Sequence, residues 1–179
     1  CHFSSRTIHP DGSWKDQLPM KNTSSDISPT GGQMARLVGL AYASKLYRIN
    51  PELEFLKNFS VNGNEVAFGT IGNASTSEGV FFEAINAAGV LQIPMAVSIW
   101  DDAYGISVPS EFQTTKQDIS EILKGFQRDE KGEGYEIFKV KGWDYPGLCE
   151  TYEKAIQICR EQHIPVMIHV VEVTQPQGH

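Results

Sequence analysis

Two short apolar runs, residues 65–72 (EVAFGTIG) and 94–100 (PMAVSIW), break a chain that otherwise mixes polar and apolar positions. Each is too short for a buried helix and ends where the composition changes abruptly, which predicts buried parallel strands. Between them Val80, Phe81, Phe82, Ala84, Ile85, Ala87, Ala88 and Val90 are apolar on most faces, predicting a well-covered helix. Ser75-Thr76-Ser77-Glu78 fits the S/T-x-x-E capping box, so this helix is expected to open directly at the carboxyl end of the first strand. Upstream, residues 34–48 predict a helix. Downstream come a short helix at 119–126, a strand at 134–140, an amphipathic helix at 145–162 and a last buried strand at 165–173. This alternation predicts an α/β fold with a doubly wound, mostly parallel sheet. The first thirty residues instead carry turn chemistry, such as Pro10-Asp11-Gly12, and no repeat or low-complexity segment interrupts the chain.

A right-handed crossover between parallel strands puts both strand ends on one edge. Gly72-Asn73-Ala74-Ser75 and Asp101-Asp102-Ala103-Tyr104 would therefore face each other there. Free N–H groups at a helix amino end, with the helix dipole behind them, favour an anion such as phosphate. Clustered oxygen ligands beside them suit magnesium or calcium.

These residues carry a resemblance. From residue 26 to residue 113 the chain resembles the alpha subunit, or alpha half, of the thiamine-diphosphate-dependent decarboxylating component of 2-oxoacid dehydrogenase complexes. That family has Gly-Asp-Gly or Gly-Glu-Gly, then some way downstream Asn-Asn followed by a tyrosine; here the corresponding runs are Gly72-Asn73-Ala74 and Asp101-Asp102-Ala103-Tyr104. Ser77-Glu78-Gly79-Val80-Phe81-Phe82, Tyr104-Gly105-Ile106-Ser107-Val108-Pro109 and Ile27-Ser28-Pro29-Thr30-Gly31-Gly32-Gln33 match in order and spacing. The resemblance implies a thiamine-diphosphate-binding fold. It also implies Mg2+ held by Asn73, Asp102 and the Tyr104 carbonyl, with the cofactor against Ser28, Thr30, Gly72, Ala74, Ser75 and Ile106, and with His179 as a phosphate ligand.

The departures give three readings. In the resembled enzymes the first metal position is acidic and the second an amide. Asn73 and Asp102 exchange them, which keeps one charged and one neutral oxygen at the cation. A catalytically degenerate scaffold or assembly domain that no longer binds the cofactor is the alternative, and a generic metal- or phosphate-binding α/β module is a weaker one. Asp101 adds a negative charge and Trp100 replaces an arginine found in some branched-chain members; both changes oppose diphosphate binding unless compensated. The residues also leave simpler roles open: Ser28 and Thr30 as a cap and turn, Ile106 as core, and His179 as a terminus. Gln33 and Ser28 fall where some relatives hold a monovalent cation, although Gly32 lacks the hydroxyl used there.

The implied reaction is oxidative decarboxylation of a 2-oxoacid with acyl transfer to a lipoyl group, in which the cofactor supplies the difficult chemistry. The activating glutamate belongs to the beta half, so this chain alone is expected to catalyse nothing. Implied partners are the beta subunit or beta half, a lipoyl-bearing acyltransferase and a small 2-oxoacid, of pyruvate or branched-chain type; Gly105-Ile106-Ser107-Val108-Pro109 leans to the latter.

Composition narrows this little. The 179 residues suffice for one domain, read as residues 1–179 with 1–30 as lead-in and expected to be excised from a longer chain. A net charge of −7 argues against nucleic acid, and no run is long and apolar enough for a membrane span. Cys149 and Cys159 sit in the 145–162 helical pattern, with Cys159 expected in the core. His163 and His169 are expected to be structural. Without a signal-peptide pattern a cytoplasmic location is expected, which makes Asn22-Thr23-Ser24, Asn58-Phe59-Ser60 and Asn73-Ala74-Ser75 chance glycosylation matches.

Overall fold

The elements run α1 (Gln33–Ile49), β1 (Ala67–Gly72), α2 (Gly79–Leu91), β2 (Met95–Trp100), β3 (Tyr104–Gly105), β4 (Val108–Pro109), α3 (Ile119–Ile122), β5 (Glu136–Lys141), α4 (Tyr145–Gln162) and β6 (Val166–Val171). They come from a computed structural model that describes residues 4–25 and 27–174. The main sheet is wholly parallel, in the order β1-β2-β6-β5, and β3 and β4 form a separate antiparallel hairpin.

Side-chain alternation divides the core between the two faces of the sheet. Met95, Val97 and Ile99 of β2 pack with Met34, Leu37 and Ala41 of α1 and with Phe81, Ile85 and Ala88 of α2. Ala96 of the same strand packs on the other face with Val166, Ile168, Ala155 and Cys159, the last two from α4. Helices thus cover both faces, and five of the six β2 residues are buried, as a central parallel strand requires. Tyr135, fully buried, donates its hydroxyl to the Ile85 carbonyl at 2.7 Å, tying the approach to β5 onto α2; burial pushes its phenol pKa up.

Helix α4 begins and ends where its sequence predicts. The Asp144 carboxylate accepts from the Gly147 N–H at 3.1 Å, Pro146 occupies the first turn, and His163 closes the helix in the left-handed region at φ 56°. The helix expected over 119–126 is instead one α turn followed by the 3-10 turn Leu123–Phe126. The expectation that α2 is well covered holds only for its inner side, because Phe82 and Val90 on its outer side are 39% and 77% exposed. Among the described residues no helix is long and apolar enough to cross a membrane.

Candidate functional site

Parallel register places Gly72 beside Trp100, the last pair of β1 and β2. One residue later the Asn73 N–H donates to the Trp100 carbonyl at 3.0 Å, so the two strand-end loops start from a common point. The chain then turns at once: Asn73 has helical angles (φ −53°, ψ −47°) and opens the 3-10 turn Ala74–Ser77, with the Thr76 hydroxyl donating to the Asn73 carbonyl at 2.6 Å. The expected capping box therefore does not form. An N-cap residue needs extended angles, which Glu78 adopts and Ser75, inside the 3-10 turn, does not; α2 begins at Gly79 without a side-chain cap. Its free N–H groups consequently lie one turn further along the chain than expected.

The second loop is braced by its own carboxylates. Asp101 Oδ1 accepts from the Ala103 N–H at 2.8 Å and Asp102 Oδ1 from the Tyr104 N–H at 3.0 Å, with Ala103 held at φ 66°. The β3–β4 hairpin follows and lies against the first loop at Gly105. A Cβ at that position would come within 2.7 Å of the Ala74 Cβ.

These loops enclose a cleft of about 240 Å³ lined by Gln33, Gly72, Asn73, Trp100, Asp102 and Val173, among others. Asn73 is only 5% exposed, and among the described residues nothing hydrogen-bonds its side-chain amide, which is left for whatever enters the cleft. The second carboxylate oxygen of Asp102, Oδ2, accepts from none of the described residues. No lysine or arginine among the described residues lines the cleft. An anion alone would meet the Asp102 charge, so a diphosphate is favoured there only together with a cation. Among the described residues no group of three or more His, Cys, Asp or Glu side chains could hold a metal ion, which leaves a set of one carboxylate, one amide and backbone carbonyls. Such hard oxygen donors suit Mg2+.

Part of the expected set lines this cleft. Gly72, Asn73 and Asp102 line it, whereas Ala74 and Ser75 stand in the adjoining 3-10 turn and Tyr104 is half-exposed at the start of the hairpin. Ser28 and Thr30 are exposed in the turn before α1. They cap nothing, since α1 starts after Gly32 without a side-chain cap. That turn packs on the start of α2, where the Cβ position of Gly31 is 3.2 Å from the Val80 Cγ1 and 3.4 Å from the Glu78 Cβ. Ile106 is 72% exposed at the hairpin tip and so is no core residue here. His179 lies outside the described residues.

Three contacts at the site were not readable from the sequence, although it had singled out the residues that make them. Gln33 reaches the cleft because its amide donates to the Thr70 carbonyl at 3.2 Å. Trp100 lines it, with its indole N–H on the Ser98 hydroxyl at 2.9 Å. Asp101 makes the third, since its Oδ2 meets Nε2 of the buried His169 at 2.8 Å. A histidine inside a buried strand was the available signal for this pair, but its partner 68 residues away was not.

A sequence model of the dehydrogenase E1 component matches residues 11–175. The chain belongs to that family. Among curated relatives this E1 chain is 24% identical over 143 residues to the pyruvate dehydrogenase E1 component subunit alpha of Rickettsia bellii, covering 78% of this chain and 36% of that protein. It is 28% identical over 178 residues to the mitochondrial 2-oxoisovalerate dehydrogenase subunit alpha of Dictyostelium discoideum (99% and 32% covered). It is also 26% identical over 144 residues to the corresponding alpha subunit of Bacillus subtilis (80% and 37%). All are alpha subunits, which makes this an alpha-type E1 chain, and it spans about a third of the length of those relatives. Among solved structures, transketolase from Campylobacter jejuni aligns with TM-score 0.58 at 18% identity over 80% of this chain and 20% of its own. That likeness concerns the fold, the thiamine-diphosphate-binding type that the resemblance implied.

Proposed function

We propose that this E1 chain is the alpha-type half of a thiamine-diphosphate-dependent 2-oxoacid dehydrogenase and holds the magnesium and diphosphate end of the cofactor. One observation carries the reading: Asn73 and Asp102, from loops at the ends of neighbouring parallel strands, bring a solvent-accessible amide and a carboxylate into one cleft. With the carboxylate and amide exchanged relative to the family pattern, the pair still offers one charged and one neutral oxygen. The Tyr104 carbonyl is the third protein ligand in this reading, and Gly72, Ala74 and Ser75 line the diphosphate side. The resemblance assigns Ser28 and Thr30 to the aminopyrimidine end, Ile106 to the thiazolium and His179 to the phosphates.

The cleft is smaller than the roughly 300–1,000 Å³ of sites that enclose a whole drug-sized ligand. It suits the metal-diphosphate end, and the rest of the cofactor must lie against other surface. That matches a shared site completed by a beta subunit or beta half. Bound there, thiamine diphosphate supplies the electron sink for decarboxylating a 2-oxoacid. This chain's contribution is to orient the cofactor, neutralise the diphosphate through the cation and exclude water with Trp100 and the β3–β4 hairpin. The acyl group would pass to a lipoyl-bearing acyltransferase. Pyruvate and branched-chain 2-oxoacids both remain substrates in this reading, with the Gly105 to Pro109 segment favouring the branched-chain type.

Titration calorimetry of thiamine diphosphate into the full-length chain assembled with its beta half tests the proposal. Magnesium-dependent binding that chelator and Asp102→Ala both abolish is the expected result. Absence of binding by the folded assembly would overturn it in favour of a cofactor-free scaffold.

A further inference from the structure

His169 points from the centre of β6 toward the site loops and is 2% exposed, yet both ring nitrogens are engaged. Nε2 lies 2.8 Å from Asp101 Oδ2 and Nδ1 lies 2.7 Å from the Ser120 hydroxyl. A carboxylate can only accept, so Nε2 carries a proton; in the neutral ring Nδ1 then accepts from Ser120. The ring is fixed from behind by α3 and presents one oriented donor to Asp101.

Asp101 uses that donor to hold a loop in an uncommon shape. Its backbone joins the sheet, N–H to the Val170 carbonyl at 2.9 Å and carbonyl to the Val173 N–H at 3.1 Å. Its carboxylate spans the turn, with Oδ2 on His169 and Oδ1 on the N–H of Ala103, a non-glycine residue at φ 66°. A left-handed alanine is disfavoured and persists only where neighbouring contacts impose it. With Asp101 turned toward β6, the next residue, Asp102, is the one that lines the cleft opposite Asn73. The negative charge that Asp101 adds to the motif is thus engaged by a buried imidazole instead of facing the diphosphate.

We infer that His169 is a positioning residue for the cation site: through Asp101 it sets the 101–104 loop so that Asp102, and not Asp101, faces the metal. The inference rests on the magnesium and diphosphate reading given above for its functional consequence, but the loop geometry can be measured without any ligand. Two isosteres separate the ring's two contacts. His169→Gln can return an amide donor at the Nε2 position toward Asp101 and loses Ser120; His169→Asn keeps the Nδ1 position near Ser120 and abandons Asp101.

In the full-length chain assembled with its beta half, Mg2+ is titrated in the presence of thiamine diphosphate, and amide exchange is followed at Ala103 and Tyr104 in the free protein. His169→Asn is expected to weaken Mg2+ binding about tenfold, the scale of one oriented hydrogen bond, and to speed exchange at both amides. His169→Gln is expected to stay close to wild type in both measurements. Equal losses in the two variants would show that the ring only fills the core and would overturn the inference. So would wild-type exchange and affinity in His169→Asn. If wild type binds no Mg2+ or cofactor, the functional reading falls. The positioning role then stands on faster exchange confined to His169→Asn, and unchanged exchange overturns it as well.

Discussion

The Asn73 N–H and the Trp100 carbonyl meet at 3.0 Å, one residue past the last paired position of β1 and β2. That bond sets the spacing between the loop carrying Asn73 and the loop carrying Asp102, so exchanging the two side chains leaves the scaffold unchanged. Asp102→Asn alone leaves two amides and is expected to weaken Mg2+ binding by about tenfold or more, corresponding to at least ~1.4 kcal/mol of lost charge interaction. Combining it with Asn73→Asp returns one carboxylate to the pair and is expected to recover most of that affinity. Calorimetric Mg2+ titration in the presence of thiamine diphosphate checks this. A double variant no tighter than Asp102→Asn would show that the two positions do not share a cation.

Gly105 lets the β3–β4 hairpin close on the first loop. A methyl group there would crowd the Ala74 Cβ at 2.7 Å and meet the Gln113 side chain, whose amide is anchored on the Val108 carbonyl at 2.6 Å. The Ala74 side cannot yield without moving the 3-10 turn that follows Asn73. Gly105→Ala is therefore expected to weaken cofactor binding while costing about 1–3 kcal/mol of stability, the usual range for overpacking. Paired cofactor titration and urea unfolding separate the two effects; unchanged affinity would show that the hairpin does not govern the cleft.

Much of this arrangement was legible from short-range pattern. The strand ending at Gly72 and the strand ending at Trp100 announce themselves by apolar runs, and parallel pairing then leaves no choice about which edge Asn73 and Asp102 share. Helix α4 was readable to its ends because Asp144, Pro146 and the apolar spacing all favour the same boundaries. The capping box failed because the S/T-x-x-E pattern is satisfied by residue types alone, whereas the backbone turns helical immediately after Gly72 and moves the cap to Glu78. The outer side of α2 was misread for a similar reason, since periodicity reports apolar faces but not whether a neighbour covers them. The Asp101–His169 pair depends on the register of β2 against β6, and nothing local to either residue encodes it.

At the opposite end of the sheet, Arg48 fastens α1 to α4. Its guanidinium donates to the carbonyls of Arg160 at 2.8 Å, Gly63 at 3.0 Å and Glu161 at 3.2 Å, and to Asn64 Oδ1 at 3.0 Å. A lysine carries the charge but not the planar fork that reaches several acceptors together. Arg48→Lys is expected to lower unfolding stability by about 1–2 kcal/mol, from the loss of more than one charge-assisted hydrogen bond. Urea denaturation measures this, and because the clamp is remote from the cleft, Mg2+ affinity should hold.

His163 makes stability fall in acid. Burial holds its pKa below the ordinary histidine value, opposed by its hydrogen bond to the Gly63 carbonyl at 2.7 Å and by Glu65, and reinforced by Arg48 and Lys45. The folded chain therefore binds this proton less readily than the unfolded chain. Its contribution is fully present above the unfolded histidine pKa of about 6.5 and is lost as pH falls through the lower folded value. His163→Asn removes the titration, and asparagine tolerates the left-handed angles at this helix end. The variant should flatten the decline of stability as pH falls below about 6.5. An identical pH slope in wild type and variant would assign the decline to other groups.

The two cysteines of α4 are expected to differ in reactivity because one is exposed and the other buried. Cys159 is fully buried between α4 and the sheet, and burial pushes its thiol up to about 12. Since the thiolate is the reactive form, this thiol is doubly protected, by access and by ionisation. Cys149, one turn past the amino end, is exposed. In a Cys1→Ser background, a disulfide reagent at neutral pH is expected to modify one thiol quickly and the second only at the rate of unfolding. Replacing Cys149 with serine should abolish the fast phase alone. The slow phase would then report opening of the α4 face, and Arg48→Lys should accelerate it, since Arg48 grips the carbonyls of Arg160 and Glu161 immediately after Cys159. Fast modification of both thiols in the native protein would contradict the packing of α4 against β5 and β6.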